Sequence, residues 1–183
     1  MNRRELMQMI AAVTGTTLIG AERALAWDAT ATGTNLFTEA DAAFLDEVAE
    51  VLIPETDTPG ARAAGVGAFM TVYVSDCLTA AEQARFRQGM DMIGRYAEDV
   101  YGAGFLTLDP GQRLALLEDI AAEARIAAKG DDDAVHWFTP IHQLTLLGFF
   151  TSETGATEVL RYEAVPGEYN GDLAYDGGPA WAT

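Results

Sequence analysis

The sequence predicts an all-α fold, a small bundle of about five to six helices that ends in an irregular aromatic strap. Three observations carry this reading. Apolar residues recur at helical spacing through most of the chain. Capping residues stand where those runs begin, and Gly or Pro where they end. No alternating apolar–polar run of strand length stands out, and no internal repeat.

The first helix is expected from Thr38, which caps while Asp41 sits three residues on, a variant of the capping box. Phe44, Leu45, Val48, Val51 and Leu52 form its apolar stripe, and Pro54 stops it. Glu39, Asp46, Glu47 and Glu50 lie mostly off the stripe and read as a solvated face. Residues 54–65 form a loop in which Pro54 and Pro59 fix φ and Gly60 permits a turn. In the second helix Val66, Phe69, Met70, Tyr73, Val74 and Cys77 share a face, which predicts a buried, inert Cys77 thiol. Thr79 and Glu82 make a capping box for a third helix, with Phe86, Met90, Ile93, Ala97 and Val100 inward and Gly102 and Gly104 at its end.

Asp109 and Pro110 open a fourth helix, with Pro110 in the favoured first turn. Its predicted stripe is Leu114, Leu117, Ala121, Ala124 and Ala128, and Gly130 ends it. The acidic triplet Asp131, Asp132, Asp133 reads as a cap of the next segment, since carboxylates favour the positive end of a helix. That fifth segment presents Trp137, Ile141, Leu144 and Gly148 on one face, and Pro140 must kink or restart it. From about residue 161 the tail places Tyr162, Tyr169, Tyr175 and Trp181 among Pro166, Gly167, Gly171, Gly177, Gly178 and Pro179. Such a composition forbids a long helix, and aromatics on an irregular strap need a surface to lie on. That surface is either this chain's own bundle or another subunit.

Charge narrows the partners. The chain has 183 residues, with 28 acidic and 11 basic, for a formal charge of −17. No basic stripe is available to meet the phosphates of nucleic acid, and anionic lipid surfaces are disfavoured for the same reason. A hydrophobic fraction of 49 % excludes a fully disordered protein. A single cysteine excludes an intrachain disulfide and four-cysteine metal sites.

The N-terminus reads as an export leader over residues 1–26. Arg3 and Arg4 precede a weakly apolar core that starts at Leu6, and Ala24 and Ala26 stand at the two small-residue positions of a cleavage signal. Paired arginines before such a core resemble a twin-arginine signal, which implies export of a folded chain to the periplasm. The core is too short and too polar to span a bilayer, where ~20 apolar residues are needed. Cleavage would remove three basic residues (Arg3, Arg4, Arg23) and two acidic ones (Glu5, Glu22), and leave the rest slightly more negative. Residues 27–36 read as an Ala- and Thr-rich linker, and residues 37–183 as the helical domain.

No self-sufficient active site is legible. His136 and His142 are six residues apart and do not share a helix face as a ligand pair would. Gly102 and Gly104 are followed by Thr107 where a dinucleotide fingerprint needs its third glycine. Ser75 and Ser152 are the only serines, and neither sits in a nucleophile elbow. Carboxylate pairs are abundant from composition alone. No residue is assigned a catalytic, cofactor-binding or metal-ligating role.

Three stretches in order resemble one family. They are Leu52-Ile53-Pro54-Glu55-Thr56-Asp57-Thr58-Pro59-Gly60-Ala61 with Ala64-Gly65-Val66; Leu147-Gly148-Phe149-Phe150-Thr151-Ser152-Glu153-Thr154-Gly155; and Leu160-Arg161-Tyr162-Glu163-Ala164-Val165-Pro166-Gly167-Glu168-Tyr169-Asn170-Gly171-Asp172. Behind a twin-arginine leader, this set is similar to the gluconate 2-dehydrogenase subunit 3 family. Asp172 stands where the family pattern often has Cys. The resemblance implies a small helical accessory subunit with no cofactor of its own. It implies a large FAD-dependent sugar or polyol dehydrogenase of the glucose–methanol–choline type as partner, and a cytochrome c subunit carrying haem c as a third component. The small subunit carries the leader for both.

On that reading Pro54, Thr56, Asp57, Pro59, Gly60, Thr151, Ser152, Glu153 and Pro166 supply a rigid, hydrogen-bonding docking surface, and Phe149, Phe150, Tyr162 and Tyr169 its apolar anchors. The competing reading is that each fixes its own loop: Asp57 and Thr58 cap a turn, and Glu153 bonds backbone amides. The alternative function is a stand-alone periplasmic enzyme or a small-ligand-binding bundle.

Overall fold

The structure, a computed structural model, describes residues 36–129, 135–165, 167–168, 171–172, 174 and 177–182. The leader residues Arg3, Arg4, Leu6, Ala24 and Ala26 lie outside the described residues, as do Gly130, the triplet Asp131, Asp132, Asp133, and Pro166, Tyr169 and Tyr175. The described chain is mostly helical. Its elements are α1 (Glu39–Leu52), α2 (Val66–Cys77), α3 (Ala80–Tyr101), a 3₁₀ turn (Phe105–Thr107), α4 (Pro110–Ala127), α5 (Thr139–Phe150), a π turn (Gly155–Val159), and the short strands β1 (Arg161–Tyr162) and β2 (Trp181–Ala182).

The caps act as the sequence requires. Thr38 with Asp41 and Thr79 with Glu82 form reciprocal capping boxes, and Asp109 forms a third with Gln112. These satisfy N–H groups that a helix start leaves without partners. Gly102 ends α3 in the left-handed region at φ 67°, where glycine has no Cβ to clash. Pro140 falls in the first turn of α5, so the helix restarts there rather than bending.

The core lies between the helices. α1 packs on α2, α4 and α5, and α5 also meets α2 and α3. Leu45, Val48, Met70, Val74, Phe86, Ile93, Leu117, Ile120, Phe138 and Ile141 are buried in one cluster. Gly148 lets α5 close on α2, since a Cβ there would stand 2.6 Å from the Phe69 ring and 3.3 Å from Val66. The segment before α1 is tied down as well. Leu36 donates its N–H to Ser75 Oγ at 3.1 Å and its carbonyl accepts from Arg87, whose guanidinium also lies 4.5 Å over the Phe37 ring.

Four expectations need correction. Cys77 is exposed, because it is the last residue of α2 and its turn runs past the core. Val100 is exposed, and the next residue, Tyr101, packs against the core in its place. The inward face of α4 is Leu116, Leu117 and Ile120; Leu114 and Ala128 face outward. Leu114 and Leu117 are one helical step apart, and the neighbouring Leu116 and Ile120 let the helix turn a bulkier face inward. The fourth concerns the acidic residues of α1.

Candidate functional site

Asp46, Glu47 and Glu50 were expected on a solvated face. They are half-buried and turned onto the 54–65 loop. Glu50 accepts from two backbone amides with its two oxygens, Glu55 N–H and Arg62 N–H, each at 2.9 Å. Glu47 holds Arg62 at 2.8 Å and Arg113 of α4 at 2.5 Å. Asp46 accepts the N–H of Gly67, the second residue of α2, at 2.8 Å. Three carboxylates on two successive turns thus hold the loop, the start of α2 and α4. The glycines follow from this. A Cβ at Gly60 would stand 2.6 Å from both Glu50 oxygens, and one at Gly67 would stand 2.4 Å from the Ala42 carbonyl and 2.6 Å from Asp46 Oδ1. The glycines of the loop answer to the carboxylates beneath them. Acidic residues four apart on a helix, followed by a glycine-bearing loop, are the sequence signal for such a clamp, though the same spacing marks many solvated helix faces.

The clamp sorts the predicted loop residues. Pro54, Thr56 and Asp57 are exposed, Pro59 is half-buried and Gly60 is buried. Thr56 Oγ1 donates to Asp57 Oδ1 at 3.0 Å, and the Thr56 N–H to the Thr58 carbonyl at 3.0 Å, so both residues also set the turn.

The second motif ends α5 and starts the π turn. Phe149 is a core residue, 2 % exposed, whereas Phe150 is 40 % exposed. Ser152 Oγ donates to the Phe149 carbonyl at 2.7 Å and accepts the Gly155 N–H at 3.0 Å. Thr151 Oγ1 donates to the Leu147 carbonyl at 2.6 Å. Glu153 is exposed. Gly155 is required because a Cβ would stand 1.9 Å from the Phe149 carbonyl oxygen. The Leu160 N–H then closes on the Gly155 carbonyl at 3.0 Å, the i to i+5 bond of a π turn.

The two motifs meet beneath the surface, through Val66 and Phe69 of α2 against Gly148 of α5. The described part of the strap bonds to itself: β1 pairs in parallel with β2, with Arg161 opposite Trp181, and the Arg161 guanidinium lies 4.6 Å over the Trp181 ring. Tyr162 and Trp181 stay about half exposed.

Reactive groups are dispersed. Among the described residues no three of His, Cys, Asp and Glu gather as a metal site would require. His136 packs on Trp137 with ring centroids 5.0 Å apart, and His142 on Phe138 at 6.2 Å. Among the described residues, two grooves on the bundle stand out. One of about 510 Å³ runs between α1 and α3 past Phe44, Arg87, Met90 and Asp91. The other, of about 520 Å³, is more apolar and lies among Leu52, Leu114, Leu117, Ala121, Phe138 and His142. Among the described residues no helix is long and apolar enough to cross a membrane.

Two carboxylates have displaced proton affinities of opposite sense. The Thr38 backbone N–H bonded to Asp41 holds that carboxyl below its ordinary value, with help from the Thr38 hydroxyl and Arg87 against partial desolvation. Burial pushes Asp46 above its ordinary value, against the Gly67 N–H and the Arg62 charge. Asp41 therefore contributes stability that is full above the unfolded value near ~3.9 and is lost as pH falls through its lowered folded value. Asp46 works the other way. Its ionisation cost is absent below ~3.9 and grows as pH rises through the raised folded value. Asp46→Asn keeps an acceptor for Gly67 N–H and removes that cost. The stability of the variant relative to wild type is expected to be more favourable at pH 7 than at pH 3, read from urea melts at both. A difference that runs the other way refutes the assignment.

The described residues define a small helical bundle with capped helices and clamped connecting loops. The family model for gluconate 2-dehydrogenase subunit 3 matches residues 39–167, and the chain belongs to that family. The match begins at the first residue of α1 and runs into the strap, so it takes in the whole bundle. Members are, by the family's description, subunits of a dehydrogenase complex. No curated protein and no solved structure matches the chain.

Proposed function

We propose that the chain is the non-catalytic small subunit of a periplasmic FAD-dependent dehydrogenase that oxidises CH–OH groups of sugars, polyols or glycosides. It binds the large flavoprotein subunit, stabilises its folded form and supplies the export signal for both. The family match over residues 39–167 is the observation that carries this reading. The paired arginines Arg3 and Arg4 ahead of Leu6, with Ala24 and Ala26 behind, support the export role. FAD belongs to the large subunit and haem c to a third, electron-accepting subunit.

The mechanism is binding without chemistry. A rigid partner surface that engages only the folded flavoprotein raises its stability by mass action, by RT ln(1 + [L]/Kd), or about 2.7 kcal/mol at a hundredfold excess over Kd. The twin-arginine route moves folded chains, so a leader on one subunit serves a partner that lacks one. Deletion of this chain in the native host is expected to leave the flavoprotein in the cytoplasm and to cut periplasmic dye-linked sugar oxidation. Export of active flavoprotein without the chain overturns the escort role. Substrate turnover by the isolated chain overturns the non-catalytic assignment.

A further inference from the structure

The outer face of α5 breaks the rule that an exposed helix face carries charge. Residues 135–152 contain no Asp, Glu, Lys or Arg in a chain that is 21 % charged. The inward side of α5 is filled by Ile141, Leu144, Thr145 and Phe149. Its outward side presents Gln143 and then Leu146, Leu147 and Phe150 at 38, 40 and 40 % exposure. Phe150 lies four residues from Leu146 and three from Leu147, so the three side chains share one helix face. An uncharged helix face that carries three large apolar side chains is normally buried. Some other exposed apolar residues stand beside charge on their own helices: Val100 follows Asp99, and Ile126 follows Arg125. Beyond α5 the chain turns acidic. Glu153, Glu158 and Glu163 are exposed, and the sole cation of residues 151–182, Arg161, lies over Trp181.

We infer that the Leu146, Leu147 and Phe150 face of α5 is where the large dehydrogenase subunit docks, through an apolar patch bordered by Lys or Arg that meets the acidic segment after α5. This assignment rests on the proposed function for the existence of that partner. Charge selects among occupants. A second copy in an isologous dimer would bring two acidic segments and two chains of −17 together. Nucleic acid and anionic lipid are repelled for the same reason. A protein surface with an apolar centre and a basic border satisfies both halves of the face, and the burial of Phe150 and two leucines supplies its anchors.

The test is co-expression of the tagged full chain with its flavoprotein and recovery of flavin absorbance on the tag. Leu147→Glu and Phe150→Glu are expected to cut recovery at least tenfold, with Ile126→Glu at wild-type level. Leu147→Gln and Phe150→Gln, which add no charge, form a second pair and are expected to cut it severalfold while the melting midpoint of the isolated chain falls by only about 2–4 °C. Glu153→Lys together with Glu158→Lys is expected to weaken recovery further as ionic strength falls, by repulsion from the basic border. If wild type recovers flavoprotein and all four α5 variants recover as much, the face is wrong and the proposed function stands. If wild type recovers none, the proposed function itself fails and the assignment falls with it. A wild-type chain that dimerises by light scattering, and loses the dimer with Phe150→Glu, also overturns it, in favour of a second copy.

Discussion

Phe149→Ala is expected to destabilise the isolated chain by about 3–5 kcal/mol, while Phe150→Ala, one residue on, costs about 1 kcal/mol. The two side chains have the same chemistry and lie 5.2 Å apart, ring centre to ring centre, in an edge-to-face contact. Their surroundings differ. Phe149 is 2 % exposed in the interior cluster, at the end of α5 where the helix passes Gly148 against α2. Its removal leaves a cavity bounded by elements fixed elsewhere, with no route to collapse. Its carbonyl also receives Ser152 Oγ and lies against Gly155, so a shift of this residue disturbs the π turn. Phe150 loses its contact with Phe149 and little else. Urea unfolding of both variants decides this. Equal losses, or a larger loss for Phe150, would mean that α5 is rotated from the orientation described.

That pair also marks what the sequence made legible. The starts of α1, α3 and α4 were read well, because a cap is a local event: Thr38 with Asp41 and Thr79 with Glu82 involve residues three apart, and so does Asp109 with Gln112. The start of α5 was not: the triplet Asp131, Asp132, Asp133 was expected to cap it, and the helix begins at Thr139 with Phe138 at the cap position and no side-chain cap. The faces of helices were read less well where several apolar residues competed. In α4 a stripe through Leu114 and Ala128 and one through Leu116 and Ile120 both fit helical spacing, and only packing against α1 selects between them. Cys77 shows the limit at a helix end, where the period continues after the core has stopped. For Phe149 and Phe150 the apolar run gives no asymmetry. Both fitted an anchor, and the tertiary contact at Gly148 assigns one to the core. The family motifs were visible as strings, yet much of what they contain serves their own loops: Gly60 answers to Glu50, Gly155 to the Phe149 carbonyl, and Ser152 to both ends of its turn.

The carboxylates of α1 were the least legible, and Glu47→Ala tests them most severely. A residue on a solvated helix face changes stability by within ~0.5 kcal/mol when truncated. Glu47 is expected to cost about 2–3 kcal/mol, below the range for a fully buried pair because the partners keep some solvent. Its Oε2 meets Arg113 Nη1 at 2.5 Å, and the Arg113 side chain is only 17 % exposed. The other end of that guanidinium donates to the Leu106 carbonyl at 2.6 Å, and Nε is buried without a hydrogen-bond partner among the described residues. With Glu47 gone, Arg113 keeps its charge, since a guanidinium does not deprotonate, and has one carbonyl to hold it. The Arg62 pair is lost as well, but Arg62 is half exposed and contributes well under ~1 kcal/mol. Most of the loss is therefore an orphaned Arg113 and not a forgone attraction. Arg113→Met in the Glu47→Ala background is then expected to recover about 1 kcal/mol or more, because it removes the charge that lost its partner and leaves an apolar stem against Phe105. Urea melts of the two single variants and the double complete the cycle. A Glu47→Ala loss below ~0.5 kcal/mol, or a double variant that loses the full sum of the singles, returns Glu47 to the solvated face and leaves the carboxylate clamp to Glu50 on the 54–65 loop and Asp46 on the start of α2.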